Sequence, residues 1–284
     1  MSRRFRQGMP TPEVRITIAA ESEGHPTEAM LALASTLADD ARAYVRPRFR
    51  RKLTVADKAD GTPVTDVDKG VEALIRQRIR VTFPEHGLIG EEEGGERRGV
   101  DWVWVIDPID GTLSFILGKP TFATLIGLMY RNRPVLGIIE HPALGDRWTG
   151  AIGRATTHNG EVVRTRPCAG VAQAALTTTG PNWFSGDELS AFDHVRRAAR
   201  IQHWGADCHS YGLLASGFID LVVESGHLLH DFCALVPVVE GAGGVMTDWA
   251  GRPLGPGSSP RVIAAGDRRT HGEALALLAA GRAW

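Results

Sequence analysis

The stretch Trp102-Val-Trp-Val-Ile-Asp107-Pro108-Ile-Asp110-Gly-Thr112 decides the fold prediction, because it joins an apolar strand to a pair of acidic residues. Residues 102–106 are all β-branched or aromatic, which is typical of a buried strand. Asp107 stands at the carboxyl end, Pro108 fixes the backbone, and the turn brings Asp110 back beside Asp107. Two carboxylates so close repel each other unless a cation lies between them. Mg²⁺ and Mn²⁺ are the natural candidates, since hard cations prefer carboxylate and carbonyl oxygens.

Three further acidic groups follow short apolar segments or open helices. Gly87–Glu93 (GLIGEEE) is a strand-like segment that ends in consecutive carboxylates. Residues 58–68 (KADGTPVTDVD) form a loop that enters a helix, with Asp68 in the first turn. Asp231 opens a helix over 232–240. Taken singly, the four acidic groups have structural alternatives, namely ordinary turn dipeptides, a solvated acidic run or a helix N-cap.

Helices and hairpins surround the opening strand. A first helix is predicted from Thr27, a suitable N-cap, to Pro47, and a second helix has apolar residues over 67–79 and ends before Pro84. Apolar runs bounded by turn residues predict strands over 121–130, 135–139 and 148–152, with hairpin turns at 131–133 and 158–160. Two helices followed by hairpins predict an α+β first half with a largely antiparallel sheet.

From about residue 156 strands and helices alternate, which predicts an α/β second half. A capping box over 185–188 opens one helix. The other predicted elements are strands at 174–179, 201–204, 219–224, 245–249 and 261–265 and helices at 207–216, 231–240 and 270–280. We therefore divide the chain into a disordered extension (1–25), a first half (26–155) and a second half (156–284).

The composition excludes several classes of protein. The 284 residues include 33 acidic and 32 basic ones, for a net charge of −1, whereas a nucleic-acid-binding protein carries a basic excess. No apolar stretch reaches the roughly 18 residues that cross a bilayer. The cysteines Cys168, Cys208 and Cys233 are widely spaced in apolar surroundings, which predicts reduced thiols rather than disulfides or a zinc site. The sequence thus predicts a soluble, cytoplasmic enzyme.

Together, the four acidic groups resemble the inositol monophosphatase family of metal-dependent phosphatases. The matching segments, in chain order, are PVTDVD at 63–68, GEE at 90–92, WVIDPIDGT at 104–112, and Asp231 running into GAGG at 241–244. The resemblance extends from about residue 28 to the end of the chain. It implies an α+β fold, the layered α/β/α/β/α sandwich of the sugar phosphatases, with most metal ligands in the first half.

The resemblance also implies roles for individual residues. It implies oxygen ligands for two Mg²⁺ ions: Glu91, Asp107 and the carbonyl of Ile109 for the first, and Asp107, Asp110 and Asp231 for the second. Glu91 would help to hold a third ion through waters, and Mn²⁺ is an alternative metal. Asp68 and Thr112 would orient the attacking water, and Glu92 would lie behind the ligands. The amides of Gly111 and Thr112 would receive the phosphate, as helix N-termini commonly do.

Within the family, the second half is most similar to the histidinol-phosphate phosphatases. The similarity lies in residues 205–217, 219–224 and 231–244. It predicts that Asp207 and Glu224 bind the substrate, because two carboxylates suit an ammonium and an imidazole better than a neutral polyol. In the alternative interpretation, Asp207 caps the helix that follows it and never meets the substrate.

Three positions depart from the pattern of this group. Leu113 stands where a basic residue is common, His230 stands where Trp or Tyr precedes the helical aspartate, and Gly205-Ala206 replaces a glycine pair. None of these changes removes a metal ligand. Leu113 bears on affinity more than on chemistry, and His230 is expected to line the wall of the pocket.

The leading hypothesis is a Mg²⁺-dependent phosphomonoesterase that hydrolyses L-histidinol phosphate to L-histidinol and phosphate in histidine biosynthesis. Alternatives with the same mechanism act on inositol 1-phosphate, a sugar bisphosphate or 3′-phosphoadenosine 5′-phosphate. A different alternative is a binding protein that kept the fold and lost turnover, which the complete set of ligands disfavours. By resemblance we expect a homodimer that binds a small phosphate monoester, with neither nucleic acid nor a membrane as partner.

Overall fold

The computed structural model describes residues 24–59, 61–96 and 99–281. Most of the predicted extension, residues 1–23, lies outside the described residues. The last two residues of the predicted extension (1–25), Gly24 and His25, are described, and Gly24 is buried. A side chain in place of Gly24 would meet the ring of Tyr130, so the chain already packs on the first half at this point.

The longer helices and strands of the described residues follow the predicted succession, whereas the short strand Pro63–Thr65 lies in a segment that was predicted to be a loop. The helices are α1 (Glu28–Val45), α2 (Asp66–Thr82), α3 (Thr112–Ile116), α4 (Asp187–Ala198), α5 (His209–Ala215), α6 (Leu229–Phe232), α7 (Leu235–Gly241) and α8 (Arg268–Ala280), with 3₁₀ turns at Arg46–Arg48, Val171–Gln173 and Pro181–Trp183. The strands are β1 (Val55–Asp57), β2 (Pro63–Thr65), β3 (Gly87–Gly90), β4 (Gly94–Glu96), β5 (Trp102–Asp110), β6 (Ala123–Tyr130), β7 (Arg133–His141), β8 (Asp146–Ala151), β9 (Thr157–His158), β10 (Glu161–Val162), β11 (Ala175–Thr178), β12 (Ile201–Trp204), β13 (Leu221–Glu224), β14 (Val245–Asp248) and β15 (Val262–Ala265).

A side-chain cap opens each of the first two helices, and the cap at Thr27 was predicted from the sequence. The Thr27 hydroxyl accepts the amide of Met30 at 3.3 Å at the start of α1. Thr65 and Asp68 form a capping box at the start of α2. These side chains satisfy amides that have no partner within the first turn, which stabilises a helix terminus by about 1 kcal/mol. Both predicted helix starts are therefore confirmed.

The first sheet has the strand order β10-β9-β8-β7-β6-β5-β3-β4. Its pairs are antiparallel except for β3 and β5, which are parallel. The hairpin turn between β6 and β7 has both central residues, Arg131 and Asn132, in the left-handed region (φ +46° and +67°). Such turns match the twist of the flanking strands, so the predicted hairpin is confirmed. Because β9 and β10 belong to this sheet, it extends past the predicted division at residue 155.

The second sheet has the order β12-β11-β13-β15-β14, with β11 parallel to both of its neighbours. Helices α1 and α2 pack on the outer face of the first sheet, and α4 and α8 pack on the outer face of the second. Helices α5 and α7 fill the space between the two sheets with apolar side chains from both halves. The five layers confirm the predicted α/β/α/β/α sandwich.

Backbone contacts without intervening side chains join the middle helix layer to the first sheet. A Cβ atom in place of Gly137 would lie 1.8 Å from the carbonyl oxygen of Ala234, and one in place of Gly150 would lie 2.3 Å from that of Pro237. Only glycine allows β7 and β8 to approach α7 so closely. Among the described residues, no helix is long and apolar enough to cross a membrane.

In the second half of the chain, two helices near the candidate site differ from the prediction. The single helix predicted over 231–240 is wrong, because α6 and α7 are separate helices and Asp231 lies inside α6. The helix predicted over 207–216 begins at His209 instead. Asp207 has φ +47°, a left-handed conformation that no helix residue adopts.

Candidate active site

An irregularity in the pairing of β5 with β6 brings the two acidic residues of β5, Asp107 and Asp110, close together. Asp107 pairs with Leu125 of β6 and Asp110 pairs with Ala123, and the register shifts between the two pairs. The carbonyl of Pro108, at the shift, accepts the hydroxyl of Thr124 at 2.8 Å. The extra residues bend the strand, as β-bulges do next to functional sites. Asp107 and Asp110 consequently come close together, as the sequence predicted.

Four carboxylates from three separate segments meet at this end of β5. Oxygen atoms of Asp107, Asp110 and Asp231 lie within 4.8 Å of one another. Glu91, in the turn after β3, lies within the same distance of Asp107 and of His230. The predicted second ligand set is therefore brought together completely, and the predicted first set contributes Glu91 and Asp107. The carbonyl of Ile109, its remaining member, accepts the hydroxyl of Thr112 at 3.0 Å.

The electrostatics of this cluster favour a bound cation. Burial, followed by the charge of Glu91, raises the pKa of Asp107 well above its usual range. Burial and then the charge of Asp231 raise the pKa of Asp110 to about 8, and burial raises the pKa of Asp231 to about 7. Asp107 is 1 % exposed, and its Oδ1 atom has no hydrogen-bond partner among the described residues. A buried acceptor without a donor, surrounded by hard oxygen ligands, fits a divalent cation.

The alternative that each acidic group is an ordinary turn, run or cap does not explain this convergence. Asp231 does accept the amide of Leu228 at 2.5 Å, so it closes the first turn of α6. The same side chain nevertheless contacts the ends of β5 from the other half of the molecule. Capping and metal binding are compatible, because a carboxylate has two oxygen atoms and four lone pairs.

His230 and Lys58 join the site although sequence reasoning gave neither of them a ligand role. The Nε2 atom of His230 lies 3.5 Å from Asp231 Oδ1. Lys58 Nζ lies 2.6 Å from Glu91 and 2.7 Å from Glu92, and these ion pairs outweigh burial and raise the lysine's pKa. Lys58 follows β1, so a hairpin contributes one positive charge to the acidic site. The signal for Lys58 was its position at the start of the 58–68 segment.

Glu72 and Arg76 of α2 support the acidic turn from behind and were missed altogether. Glu72 is fully buried and accepts the amides of Glu92 at 2.8 Å and Glu93 at 3.1 Å. Arg76 pairs with Glu72 at 2.8 Å. A Cβ atom in place of Gly90 would lie 2.1 Å from the Glu72 carboxylate, so the turn requires glycine. A Glu–Arg pair four residues apart on the apolar face of α2 was the available signal.

The predicted pair for orienting water is also brought together. The Thr112 hydroxyl lies 3.3 Å from Asp68 Oδ1. The other Asp68 oxygen accepts the amide of Thr65 at 2.9 Å, which fixes the carboxylate. Burial raises the pKa of Asp68. Gly111 has φ +79° and precedes α3, so the first amides of this short helix have no partner within it.

The two predicted substrate residues differ in their surroundings. Asp207 is partly exposed and accepts the hydroxyls of Ser114 at 2.7 Å and Thr121 at 2.6 Å. It makes no capping bond to α5, so the alternative that it caps this helix is wrong. Glu224 is 1 % exposed, and both of its oxygens accept hydrogen bonds from Thr178 or Thr179. Burial raises the pKa of Glu224 to about 8.

A cavity of about 660 Å³ lies elsewhere, between α1 and β8. Arginines line it, but Arg42 and Arg147 both pair with the fully buried Glu140. Arg147 also pairs with Asp39, and Arg154 pairs with Glu28. Their charges are therefore already balanced within the protein. The acidic cluster at the end of β5, whose charges are not balanced, is the stronger candidate for chemistry.

The comparison with known families agrees with the fold. The sequence profile of the inositol monophosphatase family matches residues 27–282. The chain belongs to the inositol monophosphatase family, whose members are hydrolases that act on small phosphate monoesters.

Individual relatives carry more specific names. The bifunctional phosphatase IMPL2 of Arabidopsis thaliana, a chloroplastic protein, is 43 % identical and the match covers 97 % of this chain and 84 % of the relative. A histidinol-phosphatase of Streptomyces coelicolor is 38 % identical, with 87 % and 96 % covered. A solved structure of an inositol monophosphatase from Zymomonas mobilis is 46 % identical and superposes with a TM-score of 0.81, covering 87 % of this chain and 96 % of that one.

Proposed function

We propose that this chain is a divalent-cation-dependent phosphatase that hydrolyses L-histidinol phosphate to L-histidinol and phosphate. The observation that carries the proposal is the convergence of Glu91, Asp107, Asp110 and Asp231, with Asp107 Oδ1 buried and without a donor among the described residues. Membership of a phosphatase family and the histidinol-phosphatase relative support the reaction and the substrate.

Mg²⁺ is the proposed cofactor, as two or three ions, with Mn²⁺ able to replace it. Glu91, Asp107 and the Ile109 carbonyl would hold one ion, and Asp107, Asp110 and Asp231 would hold another. Such ions activate a water molecule and neutralise the charge that develops on the leaving oxygen. Glu92, paired with Lys58, would lie behind these ligands.

The protein's own groups would orient the reactants. The Thr112 hydroxyl has two acceptors within reach, the Ile109 carbonyl at 3.0 Å and Asp68 Oδ1 at 3.3 Å. Because its single proton is donated to one of them, the Thr112 oxygen keeps lone pairs that would accept a hydrogen bond from the attacking water. Glu91, at the carboxyl end of the neighbouring parallel strand β3, would help to position the same water molecule. The amides of Gly111 and Thr112 would hold the phosphate, because they open α3 without partners in the helix. No covalent nucleophile is required for phosphoryl transfer of this kind.

The substrate proposal rests on charge. L-Histidinol phosphate carries an ammonium and an imidazole, and Asp207 offers a partly exposed carboxylate beside the phosphate-binding residues. Glu224, which is buried, is the second carboxylate proposed to bind the substrate. Inositol 1-phosphate is the second candidate, because the Zymomonas mobilis protein that superposes on this chain is called an inositol monophosphatase. A cytoplasmic location and a homodimer remain part of the proposal by resemblance.

The test is phosphate release from L-histidinol phosphate and from inositol 1-phosphate, with Mg²⁺ and with a chelator. We expect kcat/KM to favour L-histidinol phosphate by at least about tenfold. Chelation should abolish turnover, and Mg²⁺ should restore it. Asp110→Asn should lose more than about 100-fold in activity, since even contacts behind a metal ligand cost up to that much.

Asp193→Asn is the matched control, because Asp193 pairs with Arg196 and Arg197 on α4, away from the site. It should keep wild-type turnover. A tenfold preference for inositol 1-phosphate would reject the substrate, whereas near-wild-type activity of Asp110→Asn would reject the cation site.

A further inference from the structure

Asp207 lies beside the residues proposed to hold the phosphate. A Cβ atom in place of Gly111 would lie 3.2 Å from the Asp207 carboxyl carbon, so the two turns are in contact. The next residue, Cys208, donates its amide to Asp110 Oδ2 at 3.1 Å. The turn that carries Asp207 is therefore tied to a proposed metal ligand on one side and touches the phosphate loop on the other.

Two hydroxyl groups fix the orientation of the Asp207 carboxylate. Ser114, buried in α3, donates to Oδ2 at 2.7 Å, and Thr121, just before β6, donates to the same atom at 2.6 Å. Both hydrogen bonds reach one oxygen, and among the described residues Oδ1 has no hydrogen-bond donor. The side chain is thus held by two separate elements, with one oxygen available to a ligand.

The charge of Asp207 needs a positive partner in this position. A carboxylate beside Asp110 and beside a bound phosphate is repelled by both. A structural link between α3 and the turn could be made by a neutral side chain without that repulsion. A carboxylate is favoured there when the substrate itself brings a cation next to its phosphate.

We propose that Ser114 and Thr121 are positioning residues that hold Asp207 to bind an ammonium group on the carbon next to the ester CH₂ of the substrate. The site then selects phosphate esters of 2-amino alcohols. L-Histidinol phosphate has its ammonium at this carbon, so a carboxylate adjacent to the phosphate loop meets it, whatever lies farther along the molecule. The inference rests on the proposed function for the location of the phosphate.

Two small esters isolate the ammonium from the imidazole. Serinol phosphate and glycerol 3-phosphate differ only in an ammonium in place of a hydroxyl at that carbon. We measure the ratio of their kcat/KM values, the ammonium preference, at saturating Mg²⁺. The wild-type enzyme should prefer serinol phosphate by about tenfold or more, as expected for one charge-assisted hydrogen bond.

The positioning role is tested by removing each hydroxyl without removing bulk. Thr121→Val and Ser114→Ala should each lower the ammonium preference about threefold, and the double variant should bring it close to one, mainly through KM for serinol phosphate. Thr121→Ser keeps the hydroxyl and should restore the preference. Thr149→Val is the matched control, because Thr149 is a half-buried threonine of β8 in the cavity beside α1.

The outcomes separate this inference from the proposed function. Hydrolysis of L-histidinol phosphate without any wild-type ammonium preference would overturn the inference and leave the proposed function standing. Equal losses of kcat on both esters in the Thr121 and Ser114 variants would also overturn it, since they would indicate a merely structural role. A preference that Asp207→Asn removes and the double variant keeps would assign recognition to Asp207 but reject its positioning by the hydroxyls.

Discussion

At the scale of single residues, burial decides what each ionisable group can do. Asp107 and His141 are both buried, each with one side-chain atom that has no partner among the described residues. For Asp107 the charged form is needed to bind a cation, and its pKa is raised first by burial and then by three neighbouring carboxylates. For His141 the neutral form suffices, because no acidic side chain among the described residues stabilises the imidazolium.

His141 gives the residue-scale prediction. Its Nδ1–H donates to the carbonyl of Phe122 at 2.9 Å, and burial lowers its pKa to about 3. The folded-state pKa lies below the unfolded value near 6.5, so the unfolded chain binds the extra proton as pH falls. Between about pH 6.5 and pH 3, this group should therefore reduce the free energy of unfolding by up to about 1.4 kcal/mol for each pH unit that the pH falls.

Urea denaturation at pH 7.0 and at pH 5.0 measures this effect. His141→Asn keeps a donor for Phe122 but cannot titrate, so its stability should depend less steeply on pH than that of the wild type. His194→Asn, at an exposed position on α4, is the control and should keep the wild-type dependence. Equal pH dependence in His141→Asn and the wild type would contradict the prediction.

At the scale of elements, local patterns set most boundaries and contacts between layers set the rest. The cap at Thr27 could be predicted because it is adjacent to the helix that it opens, whereas the cap at Thr65 was not predicted. The break between α6 and α7 was missed, since no glycine separates them. Pro237 was the signal, because proline is tolerated in the first turn of a helix and not farther in.

Two glycines give the element-scale prediction. Gly137→Ala would put a Cβ atom 1.8 Å from the Ala234 carbonyl oxygen, so β7 and α7 must separate. We expect a loss of about 3 kcal/mol or more, the upper range for overpacking. Gly272→Ala lies in α8 with nothing within 4 Å of the new atom, and it should gain about 0.5–1 kcal/mol from helix propensity.

Thermal denaturation without added metal distinguishes the two variants. Each kcal/mol should change Tm by about 2–4 °C in a protein of this size. The two melting temperatures should thus move in opposite directions from the wild-type value. A Gly137→Ala variant that melts with the wild type would show that the two layers can separate without loss.

At the scale of the whole molecule, the acidic cluster joins the two halves. Glu91, Asp107 and Asp110 come from the first half, and Asp231 comes from the second. The mutual repulsion of these carboxylates opposes the packing of the two halves against each other. A cation bound among them would replace that repulsion with attraction. Cation binding and the stability of the intact sandwich should therefore be coupled.

This coupling gives the last prediction. Mg²⁺ at about 100 times its Kd should stabilise the wild type by about 2.7 kcal/mol, or roughly 5–10 °C in Tm. Asp231→Asn should show a much smaller shift, because the second half then lacks its charged ligand. Scanning calorimetry measures this shift in Tm, with samples in Mg²⁺, in a chelator and in NaCl of equal ionic strength. A shift of equal size in NaCl would indicate charge screening instead of binding.

The sequence by itself determined most of the elements, the class of fold and the four carboxylates that the structure brings together at the end of β5. Periodicity, caps and turn residues act over a few positions, and each of the four acidic motifs is a short local segment, although the family resemblance was recognised only from the four together. Only the tertiary structure decided that Ser114 and Thr121 hold Asp207, that Glu72 holds the Glu91–Glu93 turn, and that Lys58 reaches Glu91. These contacts join residues that are distant in the chain, and they depend on how the layers pack, which local patterns do not encode.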